Sequence, residues 1–373
     1  MAAESKDILI VGASARAAAK QAAALGYRVW AADLFEDADL TAIAAETRKV
    51  LDYPHGFAPA CATLPPAPWM FTGGLENHPD VVDTISRNRP LLGNPGAVLK
   101  QVRDPLQLSA VFRDAGIPFP ETRLSPPTDP GANWLRKPFT SCAGRSIRPA
   151  TASAGTAGRH FFQRFVLGQL LGAAYTASNG KAMLIGVTRQ LVGQTWCGVE
   201  GFQYCGSLGP LSLSAHEEQQ FQHIGTVLAR HFGLRGLFGV DVIRDHDATI
   251  WPIEVNPRYT ASMELYCDNV LTFHLAGWHL ADLPDTVAPQ AGWRGKAIVF
   301  ATHDIDAMPD LRELSEIDGT SLLLADIPAT GTRIASGQPV VSVFAEGQDE
   351  NDVDRKLRKN VAAMYSLLAN ARG

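Results

Sequence analysis

The sequence predicts an α/β protein of several packed subdomains, on three observations: an opening strand–helix–strand run, a middle region rich in β-like runs, and an acid-bearing hairpin between residues 236 and 255. Its 373 residues are too many for one ordinary core, so two or three subdomains are expected. With 46% hydrophobic and 19% charged residues and no apolar run long enough to span a bilayer, the composition is that of a soluble globular chain. A net charge of −5 and the lack of a basic stripe argue against nucleic acid, which leaves small molecules as the expected partners.

The first element is a strand over residues 8–11, followed by Gly12-Ala13-Ser14-Ala15-Arg16, an alanine-rich helix to Leu25, and a second strand over 28–32 ending at Asp33. Such a unit belongs to an open parallel sheet, and a further strand is expected over 69–71. A helix over 104–115 is stopped by Gly116-Ile117-Pro118, since glycine suits the C-terminal cap and proline cannot continue the helix. Residues 125–131, rich in proline, form a turn-rich linker. Strands are then expected over 134–138, 160–166, 170–177 and 182–188, a polar helix over 216–232, and a hairpin of 236–244 with 249–255. The tail reads as strands over 297–301, 322–325 and 340–345 and an amphipathic helix over 353–368.

Nothing at Met1 to Asp7 resembles a secretory leader, which points to the cytoplasm. Five cysteines, Cys61, Cys142, Cys197, Cys205 and Cys267, include no C-x-x-C pair, so free thiols are expected rather than a disulfide framework or a zinc site.

The hairpin carries the most chemistry. With its turn centred between His246 and Asp247, Glu254 lies opposite Gly239 and Asp241 sits diagonally on the same face. Side chains alternate with period two, so Asn256 shares that face. Three oxygen donors suit Mg²⁺, which binds through one or two carboxylates plus substrate phosphates, and a nucleotide site is implied. Pro257 ends the strand and leaves Arg258 where it could reach a phosphate. The competing reading is a polar-faced hairpin with solvated acids.

Two further segments could grip phosphates. Lys137 ends an apolar strand and is followed by a small-residue loop that includes Ser141, Cys142, Ala143, Gly144 and Arg145. Small residues let backbone N–H groups approach phosphate oxygens while the lysine neutralises charge. Gln163-Arg164-Phe165-Val166 is a strand whose backbone edge could pair with adenine; an ordinary interior strand is the alternative.

In order along the chain, Lys100, the Lys137-Pro138 strand with its 141–147 flap, the 163–166 hinge, Asp241 and Glu254-x-Asn256-Pro257-Arg258 resemble the ATP-grasp superfamily. The resemblance implies the ATP-grasp fold, a Rossmann-like pre-domain (1–100), a small subdomain with the flap (101–168), a large subdomain with the metal hairpin (169–290), and a C-terminal segment completing it (291–373). It implies ATP and Mg²⁺ as cofactors, with Mn²⁺ as a substitute. Lys100 and Lys137 would contact phosphates, with Ser141, Gly144 and Arg145 in the flap. Gln163, Phe165 and Val166 would read adenine, and Asp241, Glu254 and Asn256 would hold two metal ions. The implied reaction activates a carboxylate as an acyl phosphate for attack by an amine, with Arg258 and Arg189 steadying the transferred group. A carboxylase, another phosphorylating enzyme of the superfamily, and a non-catalytic nucleotide binder remain alternatives, and the family is compatible with a homodimer.

Within the superfamily, the flap, Asn256-Pro257-Arg258-Tyr259-Thr260 and the tail motif from Asp326 to Pro339 resemble a less-characterised group, similar to ligases that add an amino acid such as glutamate in methanopterin or methanofuran synthesis. Cys142-Ala143 departs from the glycine-rich pair usual in the flap, which implies a stiffer loop.

Other residues carry weaker signals. Ser14 and Arg16 after the first strand could touch the acceptor substrate, and Glu264 and Tyr266 an amino-group substrate. Asp33 has the place of a ribose-binding acid, but without G-x-G-x-x-G a nicotinamide site is not expected. His216, His223 and His231 are expected at the surface, and His303-Asp304-Ile305-Asp306 in a solvated turn.

Overall fold

A computed structural model describes residues 6–128, 133–150, 160–266, 270–274, 292–314, 316–317 and 319–370. Cys267, part of the 125–131 linker and the end of the expected 169–290 subdomain lie outside the described residues.

The opening unit forms a parallel sheet ordered Glu46–Lys49, Tyr27–Asp33, Lys6–Gly12, Trp69–Phe71. Lys6–Gly12 is central and its apolar residues are buried on both faces, as a parallel strand with covered faces requires. Glu46–Lys49 was not expected as a strand: its sequence, Glu-Thr-Arg-Lys, has no apolar residue, because it lies at the sheet edge. Helix Pro105–Asp114 starts where expected, with Asp104 accepting from the N–H groups of Leu106 (2.9 Å) and Gln107 (3.3 Å).

A four-stranded sheet follows, ordered Thr122–Arg123, His160–Arg164, Trp134–Pro138, Arg148–Pro149. The remainder is built on an eight-stranded antiparallel sheet: Ile250–Asn256, Gly236–Arg244, Gln169–Ser178, Lys181–Val192, Tyr204–Gly209, Trp293–Phe300, Pro339–Gly347, Leu323–Ala325. Two helices cover separate parts of it. Ala215–Phe232 starts with a capping box between Ser214 and Glu217 and buries Phe221, Ile224 and Leu228 against the strands. Glu350–Asn370 buries Val353, Leu357, Val361, Met364 and Leu368, which recur at intervals of three or four residues.

The N-terminal sheet packs on this assembly through one continuous core in which Ile8, Ile10, Ala18 and Ala22 meet Tyr259, Met263 and Leu271. That packing holds the loop after the first strand and the end of the acid hairpin on the walls of one cavity.

Candidate active site

The cavity has a volume of about 670 Å³, within the roughly 300–1,000 Å³ typical of small-molecule sites. Asp241, Glu254, Asn256, Lys137 and Arg258 all line it.

The hairpin register differs from the expectation. Asp241 pairs directly with Glu254, and Gly239 faces Asn256. The ladder shifts by one residue between Asp241 and Val242, because Val242 pairs with Pro252 and leaves Ile253 as the extra residue of a bulge. Proline offers no N–H to the ladder, so the irregularity falls beside it. The three oxygen-bearing side chains still share one face, and the bulge brings the two carboxylates opposite one another.

Asp241 accepts from Gln190 Nε2 (2.6 Å) and Asn256 Nδ2 (3.1 Å), while Glu254 accepts from Arg103. Burial, then the charge of Glu254, pushes the Asp241 carboxyl up to about 6. Gln190 reaches Asp241 across an intervening strand, at the level of Gly172, which pairs with Asp241. A Cβ on Gly172 would lie 3.0 Å from Gln190 Nε2, so the glycine keeps that path open.

The cations are set from several directions. Lys137 is buried at the end of its strand, its ammonium donating to Gln163 Oε1 (2.7 Å), and burial lowers its pKa. Arg258 donates to Glu76 Oε1 (2.6 Å) and Asn256 Oδ1 (3.1 Å), and its buried Nε has no acceptor among the described residues. Arg103 donates also to Asn77 Oδ1 (3.0 Å). Burial works to raise the Glu76 carboxyl, but Arg258 and Arg103 hold it below its ordinary value.

The 141–147 flap is pinned from three segments. Asn77 donates to Ser141 O (3.0 Å), Tyr204 N–H to Ala143 O (3.0 Å), and Arg145 to Gly337 O (3.1 Å). Gly144 has φ +71°, and a Cβ there would lie 2.0 Å from Phe202 O, so the close approach needs glycine. Ser141, Cys142, Ala143 and Gly144 line the cavity, whereas Arg145 is exposed and ties the flap to the tail.

Several expected site residues are elsewhere. Lys100 is exposed on helix Gly96–Val102, whose buried side carries Leu99 and Val102; Arg103, just past the helix end, makes the contact to Glu254 instead. His160–Arg164 pairs with Trp134–Pro138 on one side and, at Phe162 and Gln163, with Thr122–Arg123 on the other, and it ends before Phe165. Gln163 turns to Lys137, Phe165 N–H donates to Asn133 O (2.8 Å), and neither Phe165 nor Val166 lines the cavity. Arg189, on the opposite side of its strand from Gln190, pairs with Glu350 (2.5 Å) and Asp354 (3.5 Å) of the last helix.

Of the expected substrate contacts, Ser14 lines the cavity. Arg16 is buried, donating to Glu264 (3.0 Å) and Asp326 (2.9 Å). Glu264 is also bound by Lys296 (2.6 Å), and Tyr266 is a core residue whose hydroxyl donates to Gly172 O (2.7 Å). Asp33 accepts from the N–H groups of Ala15, Phe35 and Glu36, which leaves it shaping the loop rather than waiting for a ribose.

Sequence reasoning missed Arg103, Glu76, Gln190 and Lys296, and marked Asp326 only as the start of the tail motif. Gln190 had a findable signal, since it follows Arg189 in a strand and therefore faces the other way; Glu76 and Arg103 become neighbours only through tertiary packing.

The donor set suits a magnesium–nucleotide pair: hard oxygen donors on one face, and beside them a buried ammonium and a guanidinium with an unused N–H. Among the described residues no helix is long and apolar enough to cross a membrane.

A family model described as an ATP-grasp domain matches residues 102–262. No curated protein matches the chain. Among solved structures, the chain is similar to the biotin carboxylase domain of Hydrogenobacter thermophilus 2-oxoglutarate carboxylase, solved with MgADP, ADP and bicarbonate (TM-score 0.73, 12% identity, 95% of this chain and 89% of that one). It is similar also to N5-carboxyaminoimidazole synthase from Aspergillus clavatus with ADP and 5-aminoimidazole ribonucleotide (0.69, 14%, 96% and 98%). A third is N5-carboxyaminoimidazole ribonucleotide synthetase from Thermotoga maritima (0.66, 14%, 96% and 97%). The chain has the ATP-grasp fold.

Proposed function

We propose that the chain is an ATP-dependent ligase that activates a carboxylate as an acyl phosphate and joins it to an amine with release of ADP and phosphate. One observation carries the reading: a single cavity collects Asp241, Glu254 and Asn256 on one wall with Lys137 and Arg258 beside them. A binder without chemistry has no need to hold two carboxylates face to face at the cost of raising one of them to about 6.

Asp241, Glu254 and Asn256 would hold magnesium, which when bound neutralises phosphate charge. The chain's own residues do the rest by position and charge. Lys137 has two ammonium hydrogens left beyond its bond to Gln163, and Arg258 has its free Nε–H, so both can meet the oxygens of a transferring phosphoryl group. The flap, pinned at Ser141, Ala143 and Arg145, shields the group from water. The γ-phosphoryl group passes to a carboxylate oxygen, leaving ADP. The amine nitrogen then bonds to the carbonyl carbon, the C–O bond to phosphate breaks, and the nitrogen loses a proton. Addition of an amino acid such as glutamate in C1-cofactor synthesis is the finer form of this proposal, motivated by the tail motif from Asp326 to Pro339.

The solved relatives supply a second reading, an ATP-dependent carboxylase, since one of them was solved with bicarbonate. A screen of amino acids and of bicarbonate for substrate-dependent ADP release, with mass spectrometry of the product, separates the two. Glu254→Gln and Asp241→Asn should each abolish that release while leaving the fold intact; unchanged turnover in both would remove the ligase and the carboxylase readings together.

A further inference from the structure

At the end of the cavity formed by the N-terminal loops and the tail, charge is unevenly matched. The buried cations there, Arg16 and Lys296, stand among Glu264, Asp326, Asp39 and Asp37, with Asp33 close by; Lys49 and Arg333 line the same cavity but are exposed, and Arg333 pairs with Asp304 and Asp306. Three of these are satisfied. Glu264 is held by Arg16 and Lys296, Asp326 by Arg16, Lys296 and Ser342, and Asp39 accepts from the N–H groups of Asp326 (3.0 Å) and Ile327 (2.9 Å).

Asp37 is the exception. It is 5% exposed, it lines the cavity, and its carboxylate has neither a hydrogen bond nor an ion pair among the described residues. It precedes a helix of only four residues without capping it, so no local role uses the carboxylate. Lys49 also lines the cavity, but it is exposed and forms no ion pair with Asp37. A buried carboxylate without a donor is costly, and burial together with Asp326, Asp33 and Asp39 pushes this one up to about 8. A carboxylate kept in such a place on the wall of a cavity is matched by a cation that enters with a ligand.

We propose that Asp37 receives the second substrate as a protonated primary amine, which gives up one proton before its nitrogen attacks, so that this substrate arrives as a small organic ammonium rather than as an anion or bicarbonate. The proposal rests on the ligase reading of the cavity and extends it to the charge of the amine-bearing substrate. A primary ammonium offers three N–H donors to the carboxylate and offsets the unbalanced charge; a carboxylate or phosphate group in the same place would be repelled by it.

The test uses the full chain with MgADP and n-butylammonium as the probe, with tetramethylammonium and n-butyrate as controls. The wild type should bind MgADP and then n-butylammonium in preference to both controls. Asp37→Asn should weaken n-butylammonium at least about ten-fold and keep MgADP affinity within about two-fold, and Asp37→Glu should recover part of the loss. Above about pH 8, where the ligand-free carboxyl is ionised without a partner, the melting temperature of Asp37→Asn should exceed that of the wild type; a fall there would show an internal partner and overturn the proposal. Equal n-butylammonium binding by Asp37→Asn, or none by a wild type that binds MgADP, would also overturn it while leaving the ligase reading intact. A wild type that fails to bind MgADP would instead remove the ligase reading.

Discussion

Arg258→Met separates what this arginine does for the fold from what it does for chemistry. The Arg258 side chain is 11% exposed and its partner Glu76 1%, with the guanidinium 2.6 Å from Glu76 Oε1. Methionine keeps the hydrocarbon but leaves a carboxylate buried without that partner, a loss worth about 3–5 kcal/mol. Arg103 stays near Glu76, which places the expected cost at the lower end, about 3 kcal/mol, in equilibrium urea denaturation at pH 7. In the wild type Glu76 has a depressed pKa, so its stabilisation is present above the unfolded value, roughly 4.3, and is lost as pH falls through the folded value. With Arg258 gone, burial dominates and the folded pKa moves above the unfolded one. The deficit of the variant should therefore grow as pH rises from about 4 toward 7. Arg258→Met with Glu76→Gln removes the stranded charge and should return to within about 1 kcal/mol of wild type. Substrate-dependent ADP release should stay lost in the double variant, because the Nε–H and the positive charge remain missing from the cavity. A single-variant cost below about 1 kcal/mol, or turnover regained by the double variant, would refute this reasoning.

Three further outcomes follow from the same geometry. Asp241→Asn should stabilise the protein without ligands: the raised carboxyl, about 6, costs stability increasingly as pH rises from about 4 to 6, by at most about 3 kcal/mol and less for the water in the cavity. Urea denaturation across that pH range checks the stability; the same variant should also lose the magnesium dependence of ADP binding, which calorimetric titration with and without magnesium checks. Gly144→Ala should raise KM for ATP at least about ten-fold with little change in global stability, because the new Cβ, 2.0 Å from Phe202 O at φ +71°, displaces the flap and not a core element; unchanged steady-state kinetics would deny the flap a role over the phosphates. Arg189→Ala should cost no more than about 1 kcal/mol in urea denaturation and leave turnover intact, since its pairs with Glu350 and Asp354 are partly exposed and face away from the cavity; a collapse in turnover would place it back in the chemistry.

The sequence made the acid hairpin legible because period-two alternation puts Asp241, Glu254 and Asn256 on one face in either register. The register itself was not legible, because the bulge at Ile253 depends on how Pro252 sits in the ladder. Strand Tyr204–Gly209 was missed for a related reason: Gly206 and Gly209 interrupt its apolar pattern, and a Cβ on Gly206 would meet Lys296 O at 2.1 Å. Lys100 and Arg103 differ by three positions on one helical segment, and the choice between them depends on which side the subdomain buries. Arg16 and Glu264 were singled out correctly as charged residues in unusual places, but sequence offers no means of seeing that they neutralise each other across 248 positions.

That last pairing bears on how the cavity is built. Arg16 comes from the helix after the first strand, Glu264 from just beyond the acid hairpin, Lys296 from the sheet and Asp326 from the tail, and the four meet in one buried network. Lys296 is 5% exposed at the side chain and stands 2.6 Å from Glu264 and 3.3 Å from Asp326. Such a network adds little net stability over an apolar core of equal volume, because desolvating four charges offsets most of their attraction. What it does add is position. An apolar seam would allow the N-terminal sheet to slide against the large sheet, whereas the bidentate geometry of Arg16 on Glu264 fixes both distance and angle. Asp37 and Ser14 are carried by the N-terminal sheet, and Asp241 and Glu254 by the large one, so that fixed seam sets the separation between the end assigned to the amine and the end assigned to the phosphates.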